Sequence, residues 1–125
     1  MTVCYCGSAK DFENCCSLIH SASLSASSAE ILMRARYSAF VVGDVSFLYN
    51  TFHPSTRRYQ SKQDIKNWST QNKWLKLEII NSTQNTVEFR ASYKDQANVQ
   101  HVHHEKSNFK ELQGQWYYID GRLIQ

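Results

Sequence analysis

A chain of 125 residues has the length of one ordinary domain with a single core. Its 42% hydrophobic and 13% aromatic content exclude a disordered chain, and its net charge of +3 is too mild to demand a nucleic-acid partner. No apolar run reaches the length of a membrane span, since AFVVGDVSFL is broken by Asp44, and no basic stretch followed by an apolar one opens the chain. The expectation is a cytoplasmic protein with no membrane partner.

All four cysteines fall within the first sixteen residues, as Cys4 and Cys6 followed by the adjacent pair Cys15 and Cys16. Disulfides confined to this stretch could not staple the rest of the chain, whereas four thiolates can complete a tetrahedral metal shell around which a short loop folds. Zinc is therefore favoured. The adjacent pair departs from the common C-x-x-C spacing, so a redox or free-thiol role and incidental cysteines stay open as alternatives. His20 offers a spare nitrogen ligand.

The small polar run SASLSASS, residues 21–28, reads as a linker. Beyond it, Ser27 and Glu30 form a capping-box pair ahead of a helix whose apolar residues cover most of its circumference, so that helix needs cover on several sides. Gly43 can end it in the left-handed conformation, Asp44 can cap the next helix, and Pro54 closes that one. A third helical pattern spans residues 55–73, with Ile65 and Trp68 facing inward. The character then changes to strands near residues 74–80, 87–93, 101–109 and 116–119, separated by turn signals at 81–85, 95–98 and 113–114. Helices first and antiparallel strands second predict an α+β fold with the sheet curling around the first long helix.

The segment CYCGSAKDFENCC resembles the SEC-C zinc knuckle, with C-x-C, a spacer containing Gly-Ser, and a closing C-C. That resemblance implies Cys4, Cys6, Cys15 and Cys16 as ligands of a structural Zn²⁺, with Gly7 and Ser8 turning between the pairs. The spacer carries Asp11 and Glu13, so the knuckle is acidic and poorly suited to gripping phosphate by charge.

The helix–corner–helix order resembles the NTF2-like cone. More closely, LMRARYSAFVVGDVSFLYNTFHPSTR, WLKLEII, TVEFRASY, HHEKSNF and WYYIDG resemble, in order, segments of the YchJ-like family, bacterial proteins that join a SEC-C knuckle to an NTF2-like domain. The resemblance implies a knuckle and linker over 1–27 and an NTF2-like domain over 28–125. Many members carry a second knuckle after the last strand, where this sequence reads GRLIQ.

Arg36 interrupts an apolar row between Leu32 and Phe40, and a buried guanidinium needs a carboxylate such as Glu88 or Glu78, or a bound anion. Arg34, four residues after Glu30, fits a surface pair. In NTF2-like enzymes acid and base residues project into the cone. By that analogy the pocket candidates are Arg36, Tyr37, Arg90, His104 and Tyr118, with His53 closing the rim. The stretch Arg57, Arg58, Tyr59, Lys62, Lys66, Trp68, Lys73, Trp74 and Lys76 has the composition of a nucleic-acid surface, although a solvated helix with core tryptophans explains it as well.

The preferred reading is a non-catalytic binding module: the cone takes a small ligand or a protein segment, and the knuckle adds a second contact surface. Four sulfur ligands leave zinc no open coordination position, and no nucleophile motif is recognisable. The alternative is an isomerase, dehydratase or hydrolase working through His104, Tyr118 and Arg90. A third reading is RNA or ribosome association, and homodimerisation through the outer sheet face is a further expectation.

Overall fold

The structure, a computed structural model, describes residues 2–124, so the outermost residue of each of the two expected segments lies outside the described residues. The chain begins with a compact loop in which Val3 bridges Asp11 and the Cys4 amide donates to the Lys10 carbonyl at 2.7 Å. A 3-10 turn, Phe12–Asn14, and a short helix α1, Cys16–His20, complete this segment.

Helix α2, Ala29–Val42, is the centre of the molecule. Its cap is Ser28 rather than Ser27: the Ser28 hydroxyl accepts from the Ile31 amide at 3.2 Å. That shift moves Glu30 out of reach of a capping box, and its carboxylate instead pairs with Arg34 at 3.1 Å and accepts from Ser82 at 2.7 Å. At the other end Gly43 takes φ +78° and returns its amide to the Ala39 carbonyl, as a left-handed helix stop requires. Asp44 then accepts from the Phe47 amide at 3.1 Å and caps α3, Val45–Asn50.

Pro54 has a different role from the one expected. Helix α3 has already ended at Asn50, and Pro54 opens a short turn of helix, α4, Pro54–Arg57. Proline suits a first helical position because its missing amide would lack a partner there anyway. The expected third helix is thus divided into α4 and α5, Lys62–Thr70, with Ser61 capping the second piece.

Four strands follow, β1 Lys73–Ser82, β2 Thr86–Lys94, β3 Gln100–Leu112 and β4 Gln115–Leu123. They form one antiparallel sheet in chain order. Past α3 the backbone runs alongside β4, where the Tyr118 amide donates to Thr51 and the His53 amide donates to Tyr118, both at 2.8 Å. This exchange satisfies part of an otherwise open sheet edge and ties the helical layer to the last strand.

Three apolar clusters surround α2. Leu32, Met33 and Tyr37 meet Val87, Phe89, Ala91 and Phe109 on the inner sheet face. Ala39 meets Leu48, Phe52 and Ile65 of the helical layer. Ala35, on another side, is packed against Cys4, Cys6 and Cys16. The need for cover on several sides is met by all three parts of the chain. No helix among the described residues is long and apolar enough to cross a membrane.

Candidate functional site

Between α2 and the inner face of the sheet lies an open cavity of about 470 Å³. Its walls are largely aromatic: Tyr37 and Phe40 on α2, Trp68 on α5, Trp74 on β1 and Phe89 on β2. The Phe40 and Trp74 rings are 5.5 Å apart, and Trp68 stands edge-on to Trp74 at 5.7 Å. Trp68 keeps 38% of its surface exposed, so it is a wall at the cavity mouth rather than a core residue.

Polar groups gather at one side. Glu105 of β3 accepts from Tyr118 at 2.7 Å and from Ser107 at 2.5 Å on one oxygen, and lies 2.8 Å from His103 Nε2 on the other. Burial opposes ionisation of this carboxyl, but the hydrogen bonds from His103, Ser107 and Tyr118 outweigh it and hold Glu105 below the ordinary value. Burial and the neighbouring Glu105 push the Tyr118 phenol upward, so it remains a donor. Gly121 closes this corner, since a β-carbon there would overlap the Glu105 carboxylate.

Arg36 is 4% exposed and has no carboxylate partner among the described residues. The expected acids are engaged elsewhere, Glu88 with His104 at 2.7 Å and Glu78 with Lys76 at 3.5 Å. Instead Arg36 Nη1 donates to the Leu48 carbonyl at 2.9 Å and to Thr51 Oγ1 at 2.6 Å. Its guanidinium lies 4.6 Å from the ring centres of both Phe52 and Tyr118. Burial lowers its pKa to about 10, opposed by Tyr118 and Glu105, so the group stays cationic at neutral pH. Nε and Nη2 have no hydrogen-bond partner among the described residues, and Arg36 lines the cavity.

Of the six pocket candidates, Arg36, Tyr37 and Tyr118 line this cavity, whereas His53, Arg90 and His104 do not. Side chains alternate along a strand, and β2 turns Phe89 and Ala91 inward, which sends Arg90 to the outer face. Arg90 pairs in register with His104, so His104 shares that outer face, while Ala91 pairs with His103 and Phe89 with Glu105. His53 is committed to capping α4, accepting from the Ser55 amide at 3.1 Å. The inward positions were readable from spacing, because His103, Glu105, Ser107 and Phe109 share one face and Phe109 is the large apolar member.

The four cysteines are free thiols, and their sulfur atoms all lie within 4.8 Å of one another. Cys6 and Cys15 approach to 3.7 Å, and Ser8 reaches Cys15 at 3.2 Å from the turn made by Gly7 at φ +85°. Within the cluster a hydrogen bond from Cys16 favours the Cys6 thiolate, while that bond and burial push the Cys16 thiol upward. The donor set and its spacing suit a metal ion. His20 is not part of it: its Nε2 donates to the Ala35 carbonyl at 2.7 Å and its ring packs on Phe47. Arg34 Nη1 donates to the Cys6 carbonyl at 2.5 Å, anchoring the loop to α2.

The basic, aromatic stretch is only partly engaged within the protein, with Arg58, Tyr59, Lys62, Lys66, Lys73 and Lys76 exposed. Arg57 donates to the Asn50 and Phe52 carbonyls, and Trp68 and Trp74 turn toward the cavity.

Comparison with known proteins agrees with this architecture. Residues 28–121 match the family described as YchJ, middle NTF2-like domain. The UPF0225 protein SCO1677 of Streptomyces coelicolor is 38% identical, with 97% of this chain and 95% of that protein aligned. The UPF0225 protein VV1358 of Vibrio vulnificus is also 38% identical, over 94% of this chain and 73% of that protein. Among solved structures, RPA3114, a SEC-C motif containing protein from Rhodopseudomonas palustris, superimposes with a TM-score of 0.90 at 30% identity, covering 99% of this chain and 100% of that one. A SEC-C motif containing protein from Psychrobacter arcticus gives 0.83 at 25% identity, covering 100% and 84%. A cysteine cluster seated on an NTF2-like domain, together with these relatives, places the chain in the YchJ-like UPF0225 family.

Proposed function

We propose that this protein is a zinc-stabilised small-ligand-binding domain. Its ligand is a flat, largely apolar molecule held in the cone cavity, and zinc serves structure. The observation that carries this reading is the cavity itself, open, walled by aromatic rings and provided with one buried cation at Arg36. Its volume falls in the range of small-molecule sites, which combine apolar walls with a few placed polar groups. Ligand N–H acceptors, above all an anionic group, would meet the free Nε and Nη2 edges of Arg36.

For the cysteine cluster, a tetrahedral zinc with sulfur bonds of about 2.3 Å sets its sulfurs about 3.8 Å apart. The 3.7 Å separation of Cys6 and Cys15 fits that shell. Cys4, Cys6, Cys15 and Cys16 would hold the ion and leave no position open, so its contribution is to fix the loop against α2.

The test uses 1-anilinonaphthalene-8-sulfonate, a flat aromatic anion, followed by NMR on the zinc-loaded protein. Saturable one-to-one binding is expected, shifting the indole N–H signals of Trp68 and Trp74, which line the cavity, and leaving that of Trp116, which does not. The uncharged analogue N-phenyl-1-naphthylamine should bind at the same place more weakly. Shifts spread over the surface, or none at the two cavity indoles, would refute the reading.

A further inference from the structure

We propose that His103 and Glu105 form an acid–base dyad, and that the cavity carries out proton transfer on a flat, conjugated carbon acid with His103 Nδ1 as the base. This rests on the reading of the cavity as a small-ligand site and adds a chemical activity to it.

Three histidines in this protein each meet a carboxylate at hydrogen-bond distance, and only one has the surroundings of a catalytic base. His101 with Asp95 and His104 with Glu88 stand outside the cavity lining. His103 and Glu105 both line it. The Glu105 carboxylate is locked in place by Ser107 and Tyr118 as well as by His103. An ionised carboxylate can only accept, so His103 Nε2 must carry the hydrogen of their 2.8 Å contact. In the neutral imidazole Nδ1 then holds the lone pair. It has no hydrogen-bond partner among the described residues, and His103 lines the cavity.

The rest of the site favours proton abstraction over other chemistry. The hydroxyls nearest the dyad, Ser107 and Tyr118, are spent as donors to Glu105 and are not poised as nucleophiles. Phe89 lies 6.1 Å from the imidazole ring and Trp68 stands edge-on at 6.2 Å, an arrangement that admits a planar substrate beside the base. Removing a proton from carbon leaves a delocalised anion, and Arg36 supplies a fixed positive charge on the cavity wall. Besides the dyad, the titratable groups lining the cavity are Arg36 and Tyr37 from α2, Tyr59 from the segment after α4, and Tyr118 and Asp120 from β4.

The probe reaction is the ring opening of 5-nitrobenzisoxazole, a flat carbon acid. Nδ1 takes the proton from C3, the C–H electron pair completes the nitrile, and the N–O bond breaks to release the cyanonitrophenolate, which is followed by its colour. The imidazolium then returns its proton to water, so no co-reactant is consumed.

Saturable turnover above the rate in free imidazole is expected, rising with pH to a plateau as Nδ1 is freed. His103→Gln should lower it on the order of 100-fold, the usual scale for a positioned base. His101→Gln and His104→Gln should leave it unchanged. Glu105 is a positioning residue, and Glu105→Gln should lower the plateau and shift the pH profile while probe binding persists. Wild-type protein that binds the probe without turnover would overturn this inference and leave the ligand-site reading standing, as would His103→Gln that is folded and fully active. Failure to bind the probe while the naphthalene sulfonate binds would overturn this inference alone, and failure to bind either compound would overturn both.

Discussion

The Glu105 carboxylate of β3 occupies the space that a β-carbon on Gly121 of β4 would fill, with the Tyr118 hydroxyl 2.8 Å from the same point. Glycine is required here for room, because the backbone at Gly121 is not among the positive-φ positions. Gly121→Ala must displace a carboxylate held by three hydrogen bonds. The expected cost is about 1 to 3 kcal/mol, the range for overpacking a filled site, measured by urea denaturation. A change within a few tenths would show that the carboxylate moves freely.

Glu105 also gives the fold a pH dependence whose sign follows from its lowered pKa. A carboxyl with a folded value below its unfolded one contributes stability above the unfolded value and loses it as pH falls through the folded value. Wild type should therefore lose stability on acidification below the ordinary carboxylate range. Glu105→Gln should be less stable at neutral pH and show a flatter acid limb. Denaturation series from pH 7 to pH 3 on both proteins check this, and parallel curves would refute it.

Tyr37 predicts the opposite limb. Burial raises its phenol to about 12, so its contribution is complete below the unfolded value and is lost as the unfolded chain ionises above it. Tyr37→Phe should remove part of the alkaline destabilisation seen from about pH 10 upward, where a free phenol titrates. Tyrosinate absorbance at the onset of unfolding provides the second readout.

Local signals in the chain foretold the local structure. The left-handed Gly43, the Asp44 cap, the three hairpin turns and the cysteine pairs each depend on neighbours within a few residues, and all are found where spacing placed them. Ser28 displaced Ser27 as the cap because a run of small polar residues offers several equivalent starts, and packing of Ala29 against the core selects one. The partner of Arg36 was not legible, since carbonyl, hydroxyl and two stacked rings converge only after α3 folds back on α2. His103 rather than the expected His104 lines the cavity, because register sets which face a strand turns inward, and one residue of offset exchanges the faces.

Leu48 tests the helical layer. It is fully buried in the cluster with Ala39, Phe52 and Ile65, and its carbonyl accepts from Arg36. Leu48→Ala should cost about 2 to 5 kcal/mol. Ile80→Ala, on a strand position that is 43% exposed, should change stability by no more than about 0.5 kcal/mol.

The last expectation concerns coupling between the cysteine loop and the rest of the molecule. A loop joined by a polar linker could be an independent appendage, and its loss would then leave the main domain untouched. The packing argues otherwise: Cys4, Cys6 and Cys16 cover Ala35 at the middle of α2, Cys4 Sγ lies 3.7 Å from Ser38 Oγ, and Arg34 holds the Cys6 carbonyl. Removing the ion would return protons to the thiolates, loosen the loop that forms this cover and expose one side of the central helix. Metal analysis of reduced protein should return close to one zinc per chain. Chelation should then lower the unfolding midpoint of the whole domain and reduce amide-exchange protection along α2, not only in residues 2–20. Cys16→Ser, at a buried position on the same seam, should reproduce both effects. An unchanged midpoint with disorder confined to the loop would show that α2 keeps its cover without it.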